Sequence, residues 1–221
     1  MTKEQPDFTC AKKAEAILTS NQMLLRGKVQ GECQWSHSVY GEPFYRFFLE
    51  SNRLSGTPDV LPVLFSKRLR PQLVQPGEQL QIQGQLRSWN QQQAGKNHLV
   101  LSVFAKAMAP TEQEDENAMT LHGYLCKPAI YRVTPFGREI ADALLAVHRS
   151  YGKSDYIPCI FWGRNAGFVA SLSVGTPLWI QGRLQSRTYE KQLEERKETR
   201  VAYEVSVSQV HLETEKNGAQ A

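Results

Sequence analysis

Residues 21–29 read NQMLLRGKV and residues 117–125 read NAMTLHGYL, with Asn, Met, Leu and Gly in the same places 96 positions apart. At the same offset WSHSVYGEPFYRFFLESNR (35–53) lies over YRVTPFGREIADALLAVHR (131–149), and DVLPVLFSKR (59–68) lies over DYIPCIFWGR (155–164). PGEQLQIQGQLRSWN (76–90) meets VGTPLWIQGRLQSRT (174–188) at an offset of 98, sharing IQGxLxS, and LSV (101–103) meets VSV (205–207) at 104. Such self-similarity predicts a duplication whose copies differ by loop indels of two and then six residues, each copy the size of one small domain. The expected division is an N-terminal arm over 1–20, a first domain over 21–110, an acidic linker over 111–116, a second domain over 117–212 and a flexible tail over 213–221.

A chain of 221 residues that is 41% hydrophobic can bury two modest cores. No apolar run approaches the roughly 20 residues of a membrane helix, and MTKEQPDFTCAKKAEAIL has no continuous signal-peptide core, so a soluble, cytoplasmic protein is expected. Cys10, Cys33, Cys126 and Cys159 form no CxxC pair, and the five histidines have no ligand spacing. Neither a disulfide framework nor a metal site is expected, and no cofactor. The net charge of +4 is unevenly spread. Ten cations oppose five anions over 21–110 and twelve oppose eight over 117–212, whereas the joining TEQEDE carries four acids and no cation. Two basic modules on a solvated acidic linker suit a polyanion, although ordinary charged surfaces give the same balance.

In the second copy MTLHGYLC, IADALLAVHR, YIPCIFWG, PLWIQGRLQSRTY and RVAYEVSVSQVHL are five β-branched, aromatic or alternating runs separated by Pro, Gly or polar stretches. RNAGFVASLSV, with near-helical spacing and Gly175 behind it, predicts a helix between the third and fourth. The first copy predicts the same order, but Pro71 and Pro76 interrupt SKRLRPQLVQPG and favour a turn there. Five short strands with a helix after the third is the order of the OB-fold, a small barrel widely used for oligonucleotides. The predicted class is therefore all-β with a short helix, as two tandem OB-fold five-stranded barrels. The last hairpin of the second copy, RTYEKQLEERKETRVAY, is long and charged, whereas SWNQQQAGKNHL is shorter and Gln/Asn-rich. Gly84 and Gly182 in the IQGxL segments mark a bend or a close approach rather than a phosphate loop.

The second copy resembles the bacterial single-stranded-DNA-binding protein family through Gly123-Tyr-Leu, Arg132-Val-Thr-Pro-Phe-Gly137, LLAVHR, YIPCIFWGRNA and GTPLWIQGRL followed by QSRTY, in matching order and spacing. The resemblance covers 117–212; the first copy is recognisable through the second. It implies that bases stack on aromatics which fall, by position, on Tyr156 and Trp162 in the third strand, Tyr189 at the fourth-strand exit and Tyr151 in the SYGKSD hairpin. Tyr156 and Trp162 are an even number of residues apart and so share a face, and Phe161 must point into the core if Trp162 is a platform. The alternative for each aromatic is core packing, and Trp179 reads as core or interface. Arg132, Arg138, Arg164, Arg183 and Arg187 are the expected phosphate contacts, against the alternative of solvated surface charge.

The first copy departs from this pattern, because Val60 and Ser66 stand where the second has Tyr156 and Trp162. Its aromatics are Trp35, Tyr40, Phe44, Tyr45 and Trp89, and its candidate cations are Arg70 and Arg87 with Lys67 and Arg68 beside them. A different track, weak binding or an assembly role all remain open for it. The resemblance implies a non-catalytic coat on single-stranded DNA in replication, recombination or repair, a nucleoid-associated location and, with two barrels per chain, a homodimer holding four. The alternative is an OB-fold interaction module of a primosome-type complex. Catalysis is not expected, since the acids sit in the linker and the charged hairpin. The ending HLETEKNGAQA lacks the acidic, Pro-containing tip through which the family recruits partners.

Overall fold

The computed structural model describes residues 20–93, 95–192 and 197–213. The expected arm and tail therefore lie outside the described residues except for Ser20 and Glu213. The first half contains β1 (Asn21–Val39), β2 (Glu42–Asn52), β3 (Pro58–Ser66), β4 (Gln79–Gln93) and β5 (Lys96–Pro110). β1 pairs with β2 and β4, β2 with β3, and β5 with β4 and, in parallel, with β3, so the five strands close on themselves. This closed order is that of an OB barrel.

The second half contains β6 (Glu116–Leu125), β7 (Ile130–Val133), β8 (Glu139–His148), β9 (Ser154–Trp162), helix α1 (Arg164–Ala170), β10 (Pro177–Gln192) and β11 (Lys197–Leu212). The same circuit runs through β6, β8, β9, β11 and β10, with β7 added outside β8. β6 and β7 together occupy the place of the long β1. Pro128, which has no N–H for a ladder, lies where they separate. α1 ends at Ala170, short of Gly175, and buries Ala166 and Val169. Among the described residues the first half has no helix between β3 and β4, where Pro71 and Pro76 stand.

Alternation explains both cores: β3 and β6 bury every second residue. The buried side chains correspond in pairs across the halves, as with Leu25 and Leu121, Leu49 and Leu145, Phe65 and Phe161, Ile82 and Ile180, and Val103 and Val205. The last pair corrects the sequence alignment. Val63 pairs with Val103 and Cys159 with Val205, which sets the offset of the final strands at 102 rather than 104, so the hairpin indel is four residues. Gly84 and Gly182 sit at register shifts where a Cβ would lie 2.4 Å from the Phe104 carbonyl oxygen and 2.3 Å from that of Ser206. The shared place of Gly in IQGxL is thus a close approach of two backbones.

β1 and β6 join the halves into one 11-stranded sheet. Met23 pairs with Met119, its own counterpart in the repeat, so a local two-fold axis passes through that pair. Asn21 clasps Leu86 through Nδ2 to the carbonyl at 2.8 Å and Oδ1 from the N–H at 2.9 Å, and Asn117 clasps Leu184 in the same way at 2.6 and 3.0 Å. The joining segment is less solvated than its composition suggests. Asp115 accepts from the Asn52 N–H and amide at 2.8 Å and from Gln79 at 2.9 Å, and Glu116 pairs with Arg26 at 3.3 Å.

Candidate nucleic-acid interface

The outward side chains of β9 carry the aromatic pair. Tyr156 is 48% exposed and Trp162 37% exposed, while Ile157 and Phe161 behind them are buried. Trp162 Nε1 donates to Ser206 Oγ at 3.1 Å, which fixes the indole on the barrel wall. Tyr189 lies exposed on β10 with the Arg187 guanidinium 5.7 Å from its ring centre, a cation–π arrangement. Tyr151 is fully exposed in the tight turn Ser150–Gly152 with φ of +70°. Trp179 is half-buried and stacked on His122 at 4.6 Å.

A groove of about 1160 Å³ opens between the two halves, lined by Trp35 of β1, Trp89 of β4, Arg46, Phe104 and, from the second half, Tyr151 and Lys153. It brings together Trp35, Trp89 and Tyr151, which the sequence scatters over 116 positions. Tyr40 is fully exposed at the β1–β2 turn and does not line that groove. Tyr45 turns towards the barrel core, with its ring 6.1 Å from that of Phe65. Phe44 stacks on His37 at 5.0 Å.

Of the arginines singled out from the sequence, two build the seam between the halves. Asp59, fully buried, accepts from Arg53 at 2.7 and 2.8 Å, from the Ser186 N–H at 2.8 Å and from Arg183 at 3.1 Å. Asp155, its repeat counterpart, accepts from both arms of Arg149, from the Ser88 N–H at 2.5 Å and from Arg87 at 3.0 Å. Each half thus sends one arginine into the other half's buried carboxylate. Hydrogen bonding to Asp59 raises the pKa of Arg53, whereas burial and then the charge of Arg53 lower that of Arg183. Ser88 Oγ accepts the Tyr156 N–H at 2.7 Å and Ser186 Oγ the Val60 N–H at 3.2 Å.

Three further candidates are paired within their own half: Arg132 with Asp142 at 2.7 Å, Arg70 with Glu78 at 2.7 Å and Arg187 with Glu204 at 3.8 Å. Arg68 pairs with Glu42. Among the described residues Arg138 and Arg164 have no carboxylate within 4.0 Å, and neither have Arg46 and Lys153, which no sequence motif marks. Nothing local in FYRFF or GKSDY distinguishes those two from other surface cations. No cluster of three metal-ligating side chains occurs among the described residues.

Residues 116–212 match the Single-strand binding protein family. This region carries β6 to β11, including the exposed β9 aromatics. Single-stranded DNA-binding protein 1 of Staphylococcus aureus (strain COL) is 40% identical over 83 residues, which cover 34% of this chain and 50% of that protein. Single-stranded DNA-binding protein A of Bacillus subtilis (strain 168) is 36% identical over 109 residues, covering 46% and 62%. The matched regions span half to about three-fifths of the length of these relatives. The crystal structure of wild-type single-stranded DNA binding protein from Thermus aquaticus superposes with a TM-score of 0.72 at 21% identity, covering 91% of this chain and 96% of that one. The fold is shared along nearly the whole chain. Among the described residues no helix is long and apolar enough to cross a membrane.

Proposed function

We propose that this chain binds and coats single-stranded DNA without catalysis and with little sequence preference. The observation that carries the reading is the pair Tyr156 and Trp162, held outward on one rigid strand with their neighbours Ile157 and Phe161 locked in the core. A flat, solvent-facing ring accepts any base, at about 1–3 kcal/mol per stack, and nearby cations attract the backbone. Tyr189 extends the aromatic set, and Arg138 and Arg164 are among the described cations of that half that have no carboxylate within 4.0 Å. Arg87 and Arg183 act on this reading as joints between the halves rather than as phosphate contacts.

The rival reading, a protein-interaction module, expects Tyr156 and Trp162 buried or covered; both are exposed in the single chain. The two strand circuits are, on our reading, tandem OB domains over 21–110 and 117–212 that arose by duplication, and the chain serves in replication, recombination or repair in the cytoplasm, at the nucleoid. We extend the reading to a homodimer with four barrels. The outer face around the β1–β6 seam, lined by Gln22, Leu24, Gln83, Thr120 and Gln181, is open to receive a second copy. Sedimentation as a monomer at micromolar concentration would count against the dimer.

Titration of intrinsic Trp fluorescence with oligothymidylates of increasing length, at low and high salt, tests the function. Quenching that saturates at a defined length and weakens with salt supports it. Absence of quenching, together with unchanged anisotropy of a labelled oligonucleotide, removes it.

A further inference from the structure

We propose that the groove between β1, β4 and the Ser150–Gly152 turn is a composite stacking subsite for a short single-stranded nucleic-acid segment, built by both halves and present at one of the chain's two seams. The inference rests on the single-strand-binding reading and adds where the strand crosses from one half to the other.

The seam hydrogen bonds set the geometry. Arg149 Nη2 donates to the Ser88 carbonyl at 2.8 Å, so Tyr151, two residues after Arg149, and Trp89, one residue after Ser88, are brought to the same groove. Trp35 is 61% exposed and Trp89 42% exposed there. Tyr151 holds φ of +70°, a backbone region that favours Gly or Asn, and its ring is wholly exposed. A strained aromatic whose ring packs on nothing is a candidate for a ligand contact.

The local two-fold axis supplies an internal comparison. At the other seam Arg53 Nη2 reaches the Ser186 carbonyl at 3.4 Å, but the repeat puts Arg187 where Trp89 stands and Ser55 where Tyr151 stands. Charge follows the same division. Arg46 and Lys153 line the first groove, and Arg46 bonds the neutral Gln34 at 3.1 Å. Their counterparts are Asp142 and Thr57, and Asp142 and Glu204 tie up Arg132 and Arg187. One seam therefore offers three exposed rings beside cations that have no carboxylate within 4.0 Å among the described residues; the other keeps an exposed ring only at the place of Trp35, where Tyr131 stands, and its arginines are neutralised. Exposed rings lining one groove select unstacked bases, while Arg46 and Lys153 suit the phosphates between them.

The test uses the full chain and a fluorescein-labelled oligothymidylate, with anisotropy as readout and circular dichroism as a check on folding. Tyr151→Ala should weaken binding about fivefold or more, the loss of one stack. Leu54→Ala, at the equally exposed turn of the other seam, should change it less than twofold. A 5-iodouracil oligonucleotide should cross-link to peptides carrying Trp35, Trp89 or Tyr151. If the native chain binds but Tyr151→Ala binds equally well and cross-links fall on β9 and β10 alone, the subsite is overturned and the coating function stands. Equal losses from Leu54→Ala and Tyr151→Ala overturn the asymmetry. A native chain that binds no oligonucleotide removes the function and the subsite together.

Discussion

Arg87 Nη1, from the first half of the chain, donates to the fully buried Asp155 Oδ2 of the second half at 3.0 Å. Arg183 reaches back to Asp59 at 3.1 Å, so the halves are joined by two reciprocal ion pairs as well as by the β1–β6 ladder. A buried carboxylate is tolerated because several donors surround it, and deleting it leaves its cations uncompensated. Asp155→Ala should lower stability by about 3 kcal/mol, the low end for a broken buried pair, because Arg87 and Arg149 retain some solvent. Urea unfolding measures this. A loss below about 1 kcal/mol would mean that the Arg87–Asp155 pair adds little to the joining of the halves.

Gly182→Ala and Gly167→Ala should act in opposite directions. The first would set a methyl 2.3 Å from the Ser206 carbonyl oxygen, forcing β10 and β11 apart at a cost of about 1–3 kcal/mol. The second adds a methyl into open space inside α1 and should raise stability by up to about 1 kcal/mol, through helix propensity. Thermal melts of the two variants decide it, and a stabilised Gly182→Ala would refute the close approach.

Asp115 links acid stability to the joining segment. Burial pushes its carboxyl up, but the Asn52 backbone N–H and the Gln79 and Asn52 amides outweigh this and hold it below its ordinary 3.8. A depressed folded-state pKa contributes stability above pH 3.8 that is lost as pH falls through the folded-state value. The melting temperature of the native chain should therefore fall below pH 4 more steeply than that of Asp115→Asn. Parallel curves would show that the hydrogen bonds are not retained in solution.

Trp162→Ala should remove much of the fluorescence quenching by oligothymidylate and weaken binding by about 1–3 kcal/mol. The affinity of the native chain should fall linearly with log salt, with slope about −0.7 for each phosphate neutralised. An unchanged affinity in Trp162→Ala would place the strand away from β9.

Much of the barrel is legible in the order of residues alone. The Asn-x-Met-x-Leu-x-Gly repeat marks β1 and β6, whose shared Asn proves to be the clasp on Leu86 and Leu184. Phe161 is buried and Trp162 exposed, as strand alternation requires. The helix is legible in RNAGFVA and its absence in the Pro-interrupted SKRLRPQLVQPG. Matching LSV with VSV misleads by two residues, because a short apolar identity carries less information than the ladder that pairs Val63 with Val103. Arg87 and Arg183 read as available cations because their partners lie 68 and 124 residues away.

Local order in this chain is therefore written in its sequence: period-two burial, glycine where two backbones touch and proline where a ladder must stop, since each depends on a residue and its near neighbours. Which charges are neutralised, and that Trp35, Trp89 and Tyr151 share one groove, was decided by closure of the two strand circuits about Met23 and Met119. Ion pairing and groove shape depend on distances between residues remote in the chain, and those distances exist only once the sheet has formed.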